Sequence, residues 1–298
     1  MKVAFLSKYS GISNRGAETY VQELSTRLKE LNLDVQVCPA LSGNPDVVIP
    51  VNGRLQAIEA SIWAKTHGAK VIISGQSGPG WDDRLNLFTF PNTFVALTDF
   101  QQQWAKTANP LVKTVVIPNG VDLQKFNPSV KSINIDLPHP IVLCVAALEP
   151  IKRQELLIRA VSKTKASLLL VGKGSLEPKL KYLCDQLLPG RYAIKSYSFA
   201  DMPHVYTACD IFVYPTSPWE SFGIAMLEAM ASGLPVVATD DPIRREIAGP
   251  DSVYVNPGEI DSFAQALLSD LKKPSLRYIQ NFSWDVIADK YLNLINNL

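Results

Sequence analysis

Short unbroken apolar runs alternate along this chain with longer stretches whose apolar residues recur every three or four positions. Val3, Ala4, Phe5 and Leu6 form the first run. Further runs fall at residues 34–39, 46–50, 70–74, 94–97 and 114–117, and then at 141–146, 167–171, 192–195, 211–214, 236–238 and 252–255. Runs this short and this apolar suit parallel strands covered on both faces. Between them, residues 17–31 put Ala17, Tyr20, Val21, Leu24, Leu28 and Leu31 on one helical face. Helices are also predicted over residues 54–66, 99–106, 176–186, 202–208 and 260–271, and a tail helix carries Trp284, Ile287, Ala288, Tyr291, Leu292 and Ile295. Strands alternating with helices predict an α/β chain with doubly wound sheets, which bind ligands at their strand carboxyl ends. Residues 75–92, rich in Gly, Pro and Asp, are expected to be irregular.

One stretch breaks the pattern. Residues 219–240 read WESFGIAMLEAMASGLPVVATD. Gly223 and Ile224 open a helix of good helix formers, Gly233 has the position of a C-terminal cap, and Pro235 follows as a stop. Glu228 is a carboxylate inside this otherwise apolar helix, and a buried charge needs a partner. The helix start attracts anions such as phosphate, and Glu228 lies about 7–8 Å further along the axis. A nucleoside diphosphate would satisfy both ends, its phosphate at the helix start and its ribose diol at Glu228. Pairing of Glu228 with a core Arg is the competing reading.

The whole run closely resembles the E-x7-E segment of retaining glycosyltransferases, in particular glycosyltransferase family 4. Pro118, Asn119, Gly120, Val121 and Asp122, with Phe126 and Pro128, resemble the inter-domain signature of that family, and Arg15, Gly16, Ala17 and Glu18 resemble its GGAE segment. The resemblance implies a GT-B fold: α/β, two Rossmann-like domains with parallel sheets facing an inter-domain cleft. Residues 1–128 would form a short acceptor-side domain completed by the C-terminal helix 282–298, and residues 139–275 the nucleotide-sugar-binding domain. The short first domain is expected to lack a helix or strand between Pro39 and Asp46.

The same resemblance assigns roles. Glu220 would lie near the donor sugar and Glu228 would bind the ribose. Lys152 aligns with a Lys that clamps the donor diphosphate, and Arg153 replaces a neighbouring Gly. Cations are wanted there because the diphosphate gains charge as the glycosidic bond breaks. Gly16, Gly172 and Gly174 would approach the donor nucleotide, and Phe222, Gly223 and Ile224 its sugar. Arg15, Gln76, Ser77 and Asp82 would lie on the acceptor side. Two departures stand out: Gln76 and Ser77 occupy the place of an expected His, and Ala147 that of an Arg. Arg244 and Arg245 read as surface residues; Asp82, Asp83 and Arg84 could contact an acceptor, with a solvated loop as the favoured reading.

A net charge of +1 gives no support for nucleic acid as a partner. Cys38, Cys144, Cys184 and Cys209 are scattered without metal spacing and read as reduced core thiols. The resemblance implies metal-independent chemistry without a cofactor, the nucleotide sugar being a substrate, and the Asp pairs 82–83 and 240–241 are adjacent, not spaced as Asp-x-Asp. No apolar run is long enough to cross a bilayer and the start has no signal-peptide pattern, which predicts a cytoplasmic protein, with peripheral contact at the inner face of the membrane compatible with it. The expected activity is retaining, metal-independent hexosyl transfer from a UDP- or GDP-sugar to a glycan, lipid-linked or small-molecule acceptor. A nucleotide-sugar- or glycan-binding subunit without chemistry, and a GT-B sugar-nucleotide epimerase, are the alternatives.

Overall fold

The computed structural model describes residues 1–7, 16–51, 53–218 and 220–298. They divide into two compact units, Met1–Gly120 with Phe282–Leu298, and Val121–Asn281.

The first unit runs β1 (Lys2–Leu6), α1 (Gly16–Glu30), β2 (Asp34–Cys38), β3 (Val47–Pro50), α2 (Leu55–His67), β4 (Lys70–Ser74), α3 (Trp81–Leu87), β5 (Thr93–Ala96), α4 (Asp99–Ala108) and β6 (Thr114–Val116). Its strands form one parallel sheet in the order β2-β1-β3-β4-β5-β6. The apolar runs of the four inner strands are buried on both faces, as parallel pairing requires, while the edge strands β2 and β6 are partly exposed. Residues 39–46 carry neither helix nor strand. The chain's last helix, Trp284–Asn296, packs on α1, where the Tyr20 hydroxyl donates to that of Tyr291 at 2.9 Å and the Tyr20 ring lies 6.3 Å from that of Trp284. One expectation needs correcting: α3 lies within residues 75–92. Asp82 and Asp83 in its first turn favour a helix start, and buried Leu87 anchors its end.

The second unit runs β7 (Ile141–Val145), a 3-10 turn (Pro150–Lys152), α5 (Gln154–Ser162), β8 (Ser167–Val171), α6 (Glu177–Leu187), β9 (Tyr192–Lys195), α7 (Met202–Tyr206), β10 (Ile211–Tyr214), α8 (Ile224–Ala231), β11 (Val236–Thr239), α9 (Pro242–Ala248), β12 (Val253–Val255), α10 (Ile260–Leu268) and α11 (Leu276–Gln280). The final helix, in the first unit, is α12 (Trp284–Asn296). The second sheet is also six-stranded and parallel, in the order β12-β11-β10-β7-β8-β9. Val142, Cys144, Leu168, Leu170 and Val213 from its strands meet Leu157 and Ile158 of α5 in one core. Cys144, Cys184 and Cys209 are buried free thiols.

The strand order locates the crevice. From β7 the chain winds outward through β8 and β9, then returns to place β10 on the other side of β7. Loops that leave β7 and β10 at their carboxyl ends therefore diverge around a topological switch point, where open α/β sheets bind ligands.

Candidate functional site

The loop after β7 carries Lys152 and Arg153, and the loop after β10 carries Glu220. Their backbones are joined at one atom: the Ile151 carbonyl accepts the Ser217 N–H at 2.8 Å and the Thr216 hydroxyl at 3.2 Å. From these two loops Lys152 Nζ and Glu220 Oε2 meet in an ion pair, each side chain 16% exposed. Lys152 Nζ also lies 5.8 Å from the centre of the Tyr214 ring, within the range of a cation–π contact. The Tyr214 hydroxyl hydrogen-bonds to Glu220. Burial first, and then the Glu220 charge, push that hydroxyl well above its ordinary range, so it stays a donor.

Gly223 follows this loop and caps α8. Its φ is 94°, and a Cβ there would come within 2.8 Å of the Tyr214 ring. Glycine is needed for both reasons. Phe222 is buried in the core. Ile224, the first residue of α8, is half-buried.

Arg153 ends the 3-10 turn at a φ of 51° and precedes α5. Its Nη1 is buried and has no hydrogen-bond partner among the described residues. Beside it, Gln154 donates to the Ala147 carbonyl at 2.8 Å. An unpaired buried donor costs free energy that a ligand oxygen would recover. Gly172 and Gly174 lie in the next loop, after β8. A Cβ at Gly172 would fall 2.0 Å from the Ala146 carbonyl oxygen, and one at Gly174 2.4 Å from that of Leu148. These glycines let the β8 loop press against the β7 loop, and the Glu149 carboxylate fastens the two by accepting from Ser175 N–H and Oγ at 3.0 and 2.8 Å.

Glu228 sits in α8 and is 7% exposed. Its Oε2 accepts from the Tyr206 hydroxyl at 2.7 Å. Tyr206 is wedged among Phe126 and Phe212, with ring centres 5.8 and 6.2 Å away. Burial, followed by the Glu228 charge, raises its hydroxyl well above the usual range.

The remaining candidates lie in the first unit. Gly16 opens α1, and Arg15 lies outside the described residues. Gln76 is engaged inward: its Nε2 donates to Ser74 Oγ and Asn119 Oδ1, both at 2.9 Å, and its Oε1 accepts from Asn119 Nδ2 at 3.0 Å. Ser77 is exposed. Asp82 is bound bidentately by Arg54 at 2.6 and 3.0 Å. Asp83 corrects the solvated-loop reading, because it is 0% exposed. It accepts from Asn86 and Gln101, each at 3.1 Å, and from the backbone N–H groups of Ser77 and Gly78. Burial outweighs these donors and raises its carboxyl to about 7.

Arg244 overturns the surface reading as well. It is 0% exposed. Its Nε donates to both Asp241 carboxylate oxygens at 3.0 and 2.8 Å, and its Nη1 to the Glu220 carbonyl at 2.8 Å. Arg245 does lie at the surface, paired with Asp240. Tyr206, Tyr214 and Arg244 were all missed in the sequence. Only Asp241–Pro242 gave a signal, as a cap and first residue of a helix that puts Arg244 in its first turn. Among the described residues no group of three or more His, Cys, Asp or Glu is placed to hold a metal ion, and no helix is long and apolar enough to cross a membrane.

The pattern of the family "glycosyl transferases group 1" matches residues 126–281, more than half of the 298. The chain belongs to this family. The match falls wholly within the second unit, so a group 1 glycosyl transferase pattern runs through Lys152, Arg153, Glu220 and Glu228. The GDP-mannose-dependent monoacylated alpha-(1-6)-phosphatidylinositol monomannoside mannosyltransferase of Corynebacterium glutamicum is 25% identical over 211 residues, 61% of this chain and 55% of that one. The phosphatidyl-myo-inositol mannosyltransferase of Mycolicibacterium smegmatis is 28% identical over 217 residues, 67% of this chain and 56% of that one. The chain thus spans about half the length of these curated relatives. Among solved structures, Anabaena HepE in complex with UDP-glucose aligns over 100% of both chains with a TM-score of 0.80 at 18% identity. That likeness is one of fold: α/β, two Rossmann-like units with parallel sheets, the GT-B class.

Proposed function

We propose that the chain is a retaining, metal-independent hexosyltransferase that uses a UDP- or GDP-sugar, with the donor held by the second unit. The observation that carries this reading is the Lys152–Glu220 ion pair at the switch point of the second sheet. In the proposed reaction the bond from the anomeric carbon to the diphosphate breaks and the diphosphate leaves with the electron pair. The acceptor oxygen bonds to the same carbon with retained configuration and its proton is released. Lys152 exchanges Glu220 for the diphosphate, and Arg153 brings its unpartnered Nη1 to the same charge. Glu228 accepts hydrogen bonds from the ribose. Glu220, with the backbone of Gly223 and Ile224, orients the sugar. The relative named for GDP-mannose and the structure holding UDP-glucose support a nucleotide-sugar donor and leave the base open. The phosphatidylinositol substrates in the relatives' names support a lipid-linked acceptor met by peripheral membrane contact.

A second reading, a donor-binding subunit without chemistry, is favoured by Gln76, whose amide hydrogens are spent on Ser74 and Asn119 where the resemblance places a His. A thermal-shift screen with UDP, GDP and their sugars, followed by an assay of nucleoside diphosphate release, separates the two. Binding raises the melting temperature under both readings. Release of nucleoside diphosphate supports the transferase, and tight binding without release from any donor, whatever the acceptor, supports the subunit. Nuclear magnetic resonance of the product reads the anomeric configuration, and an inverted product sinks the retaining assignment.

A further inference from the structure

A buried guanidinium must place its donors, and Arg244 places them on more than its counter-ion. Asp241 is its counter-ion, at 2.8 Å. It is also the N-cap of α9, accepting the Arg244 N–H at 2.9 Å. Beyond Asp241, Nη1 reaches the Glu220 carbonyl at 2.8 Å and Nη2 that of Pro218 at 3.4 Å. The loop so gripped carries neither helix nor strand among its described residues between β10 and α8. At its near end it is fixed by the Ile151 carbonyl and by the Thr239 hydroxyl, which donates to the Thr216 carbonyl at 2.8 Å. Arg244 fixes the far end, at the residue that faces Lys152.

We propose that Arg244 is a positioning residue, which holds the Glu220 backbone in place while Lys152 leaves Glu220 for the donor. This rests on the reading that Lys152 and Glu220 meet a nucleotide sugar. Once the Lys152–Glu220 pair opens, the Glu220 side chain loses its cation, and the backbone restraint from α9 keeps the carboxylate at its place beside the sugar. Preorganisation of this kind acts on the reacting end of the donor. It leaves the nucleoside end, at Glu228, untouched.

Arg244→Lys tests this. Lysine keeps a positive charge beside Asp241 but has one nitrogen, so it does not fork to the Asp241 carboxylate and the Glu220 carbonyl together. Hydrogen exchange of the Ser217 and Glu220 amides, which donate to Ile151 and Ser217, is expected to quicken at least about tenfold while exchange in the sheet is unchanged. The Kd for UDP or GDP is expected to stay within about twofold, and kcat with a UDP- or GDP-sugar to fall about ten- to a hundredfold with little change in KM. Unchanged exchange at Ser217 and Glu220 overturns the proposal. So does loosened exchange with unchanged kcat, or a parallel loss of nucleotide affinity and sheet protection. If the unmodified protein turns over no donor, the transferase reading has failed, and the exchange rates alone decide whether Arg244 holds the loop. Should Arg244→Lys not fold, the double variant Asp241→Asn with Arg244→Met keeps a capping oxygen and leaves no lone buried charge; the same outcomes apply to it.

Discussion

Lys152 and Glu220 leave the second sheet on different strands, β7 and β10, yet their side chains close into an ion pair over the Tyr214 ring. Their backbones are already tied through the Ile151 carbonyl, so the pair is assembled by the fold and does not depend on two flexible side chains finding each other. In the proposed reaction the pair stores a cation at the place where leaving-group charge develops. Lys152→Ala is then expected to lower kcat and kcat/KM together by about a hundredfold or more, as loss of a group that acts only in the transition state does. Steady-state kinetics with the donor identified by thermal shift check it. A raised KM with unchanged kcat would assign Lys152 to ground-state binding instead.

The hydrogen bond from Tyr206 bears on how the role of Glu228 is tested. Its carboxylate accepts from Tyr206 within a buried aromatic cluster. Glu228→Gln keeps an oxygen for Tyr206 and removes the charge. Hydrogen bonds to charged groups are worth about 1.5–3 kcal/mol, so the Kd for the nucleoside diphosphate is expected to rise about tenfold or more. The same substitution should leave the affinity for the corresponding 2′,3′-dideoxy nucleotide unaltered. Equal losses for both nucleotides would remove the ribose from the assignment.

Gly223 is expected to tolerate no side chain. Gly190 offers the comparison: its φ of 71° is also left-handed, but a Cβ there meets nothing within 4 Å, whereas at Gly223 it meets the Tyr214 ring. Gly190→Ala should cost about 1–2 kcal/mol, the backbone contribution alone. Gly223→Ala should cost more by denaturant titration, and should also lower kcat, because displacing Tyr214 moves the support of Glu220. Equal destabilisation by the two substitutions would mean that Tyr214 yields freely and does not set the site.

Which parts of this architecture were legible follows from the range of the forces involved. The helix and strand of residues 219–240 could be read because helical periodicity, a Gly cap and a Pro stop are local, and the observed α8 and β11 fall within that run. Lys152 and Glu220 were singled out by resemblance, and their spacing alone says nothing of a contact across 68 positions. Arg244 was misread for the same reason. Two arginines in a polar segment look like surface, and what buries one of them is a carbonyl 24 positions earlier. Gln76 likewise meets Asn119 across 43 positions. Hydrophobic periodicity reports which face is covered; it does not report which polar group arrives to cover it.

Asp83 gives the first unit a pH dependence of its own. Its carboxyl is buried, and the cost of that burial raises it from 3.8 in the unfolded chain to about 7 in the folded one, against the donors that hold it. The folded state therefore binds this proton more tightly. The contribution of Asp83 to stability is fully present below about pH 4, is lost as the pH rises toward about 7, and is constant above that. One proton limits the slope to about 1.4 kcal/mol per pH unit. Asp83→Asn removes the titration while keeping one acceptor for the Ser77–Gly78 turn. At pH 5 the variant should be the less stable, by about 1–3 kcal/mol for the acceptor it lacks. Between pH 5 and 7 the stability of the unmodified protein should fall more steeply than that of the variant, so the gap narrows. Urea titrations across that range measure both slopes; parallel curves would show that the buried carboxyl does not take up the proton.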